Sequence, residues 1–107
     1  MTLAQQLAVA MGLDTRIVNG RTYIRELNDG SEKVFDPEHS ADDRELVIAH
    51  LRSKGISCQI TYGTRSTVIC IYKDPWDGAS DSGSHDTLGT RFCELALEAM
   101  KKSKATQ

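Results

Sequence analysis

The sequence predicts an α+β fold, a layered α/β/α sandwich built from one antiparallel sheet and three helices in the order α-β-β-α-β-β-α. Three observations predict it. Three segments carry apolar residues at helical spacing between start and stop signals. Asn19-Gly20 and Gly63-Thr64 each sit between β-prone runs, which is the pattern of a tight hairpin. Thr67-Val68-Ile69-Cys70-Ile71-Tyr72 is apolar on both faces, which predicts a central strand covered above and below.

The first helix spans about residues 3–11. Thr2-Leu3-Ala4-Gln5 has the form of a capping box. Leu3, Leu7, Ala10 and Met11 then share one face, and Gly12 supplies the stop. So short a helix needs a docking surface to be stable. Thr15–Val18 and Arg21–Ile24 flank the Asn19-Gly20 turn. A second turn, Asn28-Asp29-Gly30-Ser31, leads into Glu32–Phe35, so 15–35 reads as an antiparallel meander. Asp36-Pro37 ends it. Ser40 caps the second helix, with Asp42, Asp43 and Glu45 in its first turn, where negative charge complements the helix dipole. Leu46, Val47, His50 and Leu51 form its inward stripe, and Gly55 closes it.

In the late hairpin Ile56, Cys58, Ile60 and Tyr62 share a face, opposite Ser57, Gln59 and Thr61. A two-residue turn at Gly63-Thr64 would put Cys58 beside Ile69. A three-residue loop would put it opposite Cys70, the only register in which those two could form a disulfide. Residues 74–86, rich in Gly, Ser and Asp, read as a long loop. Asp86 caps a last helix whose stripe is Leu88, Phe92, Leu95, Ala96 and Ala99, widened by Cys93, Leu97 and Met100.

The 107 residues amount to one domain, 1–107, since domains most often run to about 100–150 residues. A hydrophobic share of 39% is too high for a disordered chain. Net charge is -2, which argues against a whole-surface grip on nucleic acid. No run of about 18 apolar residues is present to span a membrane. The start MTLAQQLAVAMGLD lacks the basic region of a secretory signal, so the cytoplasm, that of a bacterial host, is the expected compartment. Three cysteines without C-x-x-C spacing read as buried small hydrophobes in a reducing compartment.

The wording of the chain resembles the phage ABA sandwich family, small phage and prophage proteins of uncharacterised function. The likeness rests on the short first helix ending at Met11-Gly12, and on Phe35-Asp36-Pro37 followed by Ser40 and the helix to Leu51. Its third part is the late hairpin, a loop, and the amphipathic helix containing Arg91-Phe92-Cys93-Glu94-Leu95-Ala96. The resemblance implies an α/β/α sandwich and a phage or prophage origin, and it supplies no catalytic residues.

No residue set points to catalysis, to a metal or to a cofactor. His39, His50 and His85 fall in three separate elements without metal-ligand spacing. Asp74, Asp77, Asp81 and Asp86 gather carboxylates in one segment, but not at the spacing of an EF-hand. Arg16, Arg21, Arg25 and Lys33 gather on the meander, interrupted by Glu26, Asp29 and Glu32, which reads as a mixed solvated face. Trp76 is the single tryptophan, and it either folds back on the core or anchors a partner. Tyr62, Arg65, Lys73 and Trp76 are therefore the expected partner-binding surface. The expected function is non-catalytic binding of a host protein, such as inhibition of a defence system of the CRISPR kind. A homodimer would cover apolar area left outside the core. The alternative is capture of a nucleotide by Arg65, Lys73 and the helix start at Asp86, and the third reading is a nucleic-acid module.

Overall fold

The computed structural model describes residues 1–25, 30–73 and 79–105, with the side chains of 79–82, 104 and 105 left aside. The expected α+β class, three helices and antiparallel pairing are all present. Strands pair in two sheets rather than one. The first holds β1 (Thr15–Val18), β2 (Arg21–Arg25) and β3 (Glu32–Val34). The second holds β4 (Ser57–Tyr62), β5 (Ser66–Tyr72) and β6 (Ala79–Ser84), with β5 in the middle. No described helix is long and apolar enough to cross a membrane.

Local chemistry explains the first half. The Thr2 hydroxyl accepts from the Gln5 amide at 3.2 Å and starts α1 (Leu3–Ala10). Ala4, Leu7 and Ala8 are its buried residues, and Ala10, placed on the inward face by periodicity, is exposed. Asn19 and Gly20 both take positive φ, 52° and 77°, as a tight hairpin between Val18 and Arg21 requires. Of the second turn, Asn28 and Asp29 lie outside the described residues.

Helix α2 (Ala41–Ser53) starts where the Ser40 hydroxyl accepts from the Asp43 amide at 3.3 Å. Asp43 is itself buried. Its carboxylate accepts from Lys33 Nζ at 2.9 Å and from the Asp36 amide at 2.8 Å, so one side chain ties β3 to the start of α2. Phe35 and Pro37 are fully buried beneath this staple. The inward stripe of α2 is Val47, Ile48 and Leu51, whereas Leu46 is exposed, one helical position away from the core.

Helix α3 (Leu88–Ala105) is the spine. Leu88, Phe92, Cys93, Leu95, Ala96, Leu97, Ala99 and Met100 are all buried. It packs against β5 and β6, while α2 meets both β4 and α3. Helix α1 lies along α3 and reaches β1 and β2, so it links the first sheet to the spine.

Three expectations for the second sheet are corrected. The Thr67–Tyr72 strand is central but not covered on both faces. Thr67, Ile69 and Ile71 are buried against the helices, while Ser66, Val68, Cys70 and Tyr72 are exposed. Apolar composition on both faces was a statement about residue type, and the second face has no described layer over it. The expected loop over 74–86 contains β6 at Ala79–Ser84 and a 3-10 turn, η1, at His85–Thr87. Ala-Ser-Asp-Ser-Gly-Ser carries no β-branched or aromatic side chain, and its strand conformation comes from pairing with β5. Asp86 accordingly lies inside the 3-10 turn and does not cap α3.

The turn also shifts. Tyr62 pairs with Thr67, and the Gly63 amide donates to the Ser66 carbonyl at 2.8 Å, which places Thr64 and Arg65 at the tip. Cys58 then stands opposite Ile71, and Cys70 opposite Gln59, a register that neither loop length considered above produces. Cys58 is buried and Cys70 exposed, so they occupy opposite faces and all three cysteines are free.

Candidate functional site: an open sheet face

The open face of the second sheet follows from the pleat. Cross-strand partners share a face, so Tyr72, Cys70 and Val68 of β5 stand beside Ser57, Gln59 and Thr61 of β4. All six are exposed. Val68 is 37% and Tyr72 51% accessible, large fractions for apolar and aromatic side chains in the middle strand of a sheet. At the Tyr72 end this face runs into a concavity of about 720 Å³, where Arg52 and Gly55 stand over Ser57, Gln59, Cys70 and Tyr72. The result is a strip bearing a valine, a tyrosine, a thiol and hydroxyl and amide groups, with one arginine at its end. Such a strip can bury apolar area and form hydrogen bonds with another protein surface.

The four residues expected to form one surface are dispersed. Tyr62 is 63% exposed at the turn end of β4, and Arg65 is exposed at the tip beside it. Lys73 follows the other end of β5, half-buried near Gly55. Seven strand residues separate these ends, about 20 Å at 3.3 Å per residue. Trp76 lies outside the described residues. The structure thus brings Tyr62 and Arg65 together, sets Lys73 apart from them, and adds Val68, Cys70 and Tyr72. The signal for the added three was the period-two alternation of 66–72, in which every second residue must leave the core. Nucleotide capture by Arg65 and Lys73 together is not favoured by this separation.

Several other chemistry-bearing groups are committed elsewhere. Burial pushes the Cys58 thiol up to about 11 and the Cys93 thiol up to about 12, so both stay protonated and poorly nucleophilic at neutral pH. On the meander, Arg16 meets Glu32 at 2.6 Å and stacks 5.8 Å over Tyr23, Arg25 meets Asp14 at 3.7 Å, and Lys33 is held by Asp43. Three of the four basic residues thus face carboxylates, which leaves little net positive field for phosphate. His39 pairs with Asp36 at 3.0 Å. Among the described residues no group of three or more His, Cys, Asp or Glu converges as metal ligands would.

His50 is half-buried on α2. Burial first, and then the Lys54 ammonium one turn on, hold its pKa below the ordinary 6.5. An unfolded chain therefore binds the proton more readily than the folded one. Stability from this group is present above pH 6.5 and is lost as pH falls through the folded value. A proton NMR titration should give a midpoint under 6.5, and His50→Gln should flatten the acid side of the stability profile. A midpoint at or above 6.5 would contradict this.

The chain matches no protein-family model, no curated protein and no solved structure.

Proposed function

We propose that the chain is a non-catalytic binding protein that applies the open face of β4-β5-β6 to a protein partner. The observation that carries this reading is the exposure of Val68 and Tyr72 on the middle strand, beside Cys70 and the concavity at Arg52 and Gly55. Contiguous apolar surface of this kind marks interaction sites, and tyrosine is enriched among residues that anchor them. The partner's class rests on the chain's small size and on the phage or prophage origin that its resemblance to the phage ABA sandwich family implies. That partner is a component of a bacterial host's defence machinery, with an RNA-guided nuclease as the type case.

The test uses the full chain with Val68→Glu and Tyr72→Glu combined. Both side chains are on the exposed face, so the melting temperature should stay near the parent value while partner retention falls about thirtyfold or more. Partner retention unchanged in this variant would overturn the assignment of the face. For the finer reading, phage plaque counts are compared on a host whose guided nuclease targets that phage. Expression of the parent chain should raise the counts and the double variant should not. Counts unmoved by the parent chain would overturn the defence reading and leave the face to be judged by the binding result.

A further inference from the structure

A separate groove of about 640 Å³ runs between α1, the end of α2 and the last turns of α3. Its floor is apolar: Ile56, Leu97 and Met100 are buried there, and Val9 is exposed at its mouth. Its rim carries His50, Lys54 and Lys101, and no carboxylate of the described residues lines it. In a chain of net charge -2, an apolar trough rimmed by two ammonium groups and an imidazole is a local reversal of sign. The volume falls in the range of small-molecule sites, about 300–1,000 Å³. Among the described residues no Phe, Tyr or Trp lines the walls to offer a broad stacking face to a nucleobase. Met100 supplies a flexible thioether, suited to an occupant with many conformations such as an alkyl chain.

We infer that this groove binds a single-chain fatty carboxylate. The alkyl chain lies on Ile56, Leu97 and Met100, and the carboxylate accepts hydrogen bonds from the Lys54 and Lys101 ammonium groups. Charge complementarity selects the anion, and the apolar floor selects the chain. The groove and the concavity at the end of the open face both touch the buried Ile56, but the residues varied in the two tests, Lys54 and Lys101 here and Val68 and Tyr72 there, do not overlap, so either reading can fail without the other.

The experiment is a titration of the full chain with dodecanoate, below its micelle concentration, followed by calorimetry and by the Met100 methyl resonance. Saturable one-to-one binding is expected. Affinity should tighten about three- to fourfold per methylene from octanoate upward until the floor is filled. Lys54→Glu and Lys101→Glu should each weaken binding about fivefold or more. Both lysines are exposed, so the variants should melt with the parent chain. Dodecyltrimethylammonium, with the same tail and opposite head, should not saturate the site. Absence of saturable dodecanoate binding, equal binding of the ammonium amphiphile, or a Lys54→Glu/Lys101→Glu double variant that binds like the parent would each overturn the proposal. So would a Met100 signal that moves with protein concentration alone, because a second copy would then be the occupant.

Discussion

Gly89→Ala is expected to destabilise the fold by about 3 kcal/mol or more, although alanine is the better helix former. Gly89 is buried in the first turn of α3, against the backbone of Glu38. A Cβ there would overlap the Glu38 carbonyl oxygen and lie 2.6 Å from its carbonyl carbon and 2.9 Å from its Cα. The obstacle is backbone, and that backbone is pinned. Arg44 Nη1 donates to the Pro37 and Glu38 carbonyls at 3.0 and 3.3 Å, Thr90 Oγ1 donates to the Glu38 carboxylate at 3.1 Å, and Pro37 is fully buried. The gain from helix propensity is about 1 kcal/mol and cannot offset such an overlap. A urea midpoint equal to or above that of the parent chain would contradict the close approach of the Phe35–Ser40 segment to α3.

Phe92→Ala should cost about 3–5 kcal/mol, a large part of the roughly 5–15 kcal/mol that holds a domain together. Phe92 is 0% exposed and belongs to the cluster that joins α3 to the rest of the core. Leu46→Ala makes the contrast. Leu46 shares the apolar character expected of a core position but is exposed on α2, so its truncation should cost under about 1 kcal/mol. Equal losses in the two variants, read from urea unfolding, would contradict the placement of the α2 stripe.

Elements whose signals are local were legible in the sequence. Thr2 and Ser40 announce their helices because a hydroxyl three residues ahead of an unpaired amide is a sufficient cause. Asn19-Gly20 announces its hairpin because few residues tolerate positive φ. The α3 stripe was read in full because eight apolar residues at helical spacing leave one solution. Features set by partners at long range were not legible. Ala79–Ser84 is a strand only because β5 offers it a ladder. The tip at Thr64-Arg65 depends on a pairing register that Gly63 alone does not dictate. The same limit governed the site. Residue type showed that Val68, Cys70 and Tyr72 are apolar or aromatic, but whether a layer covers them depends on where the helices go. Both α2 and α3 pack on the Ile69–Ile71 side.

One face of β5 is open to solvent, and the three thiols report on it directly. Under native conditions a soluble alkylating reagent should add one label per chain, at Cys70, with Cys58 and Cys93 protected by burial and by their raised pKa values. Peptide mass analysis of the labelled chain locates the adduct, and unfolding in urea should release the other two sites. A label at Cys70 alone is the predicted result. Protection of Cys70 in the isolated monomer, or native labelling of Cys58 or Cys93, would contradict it.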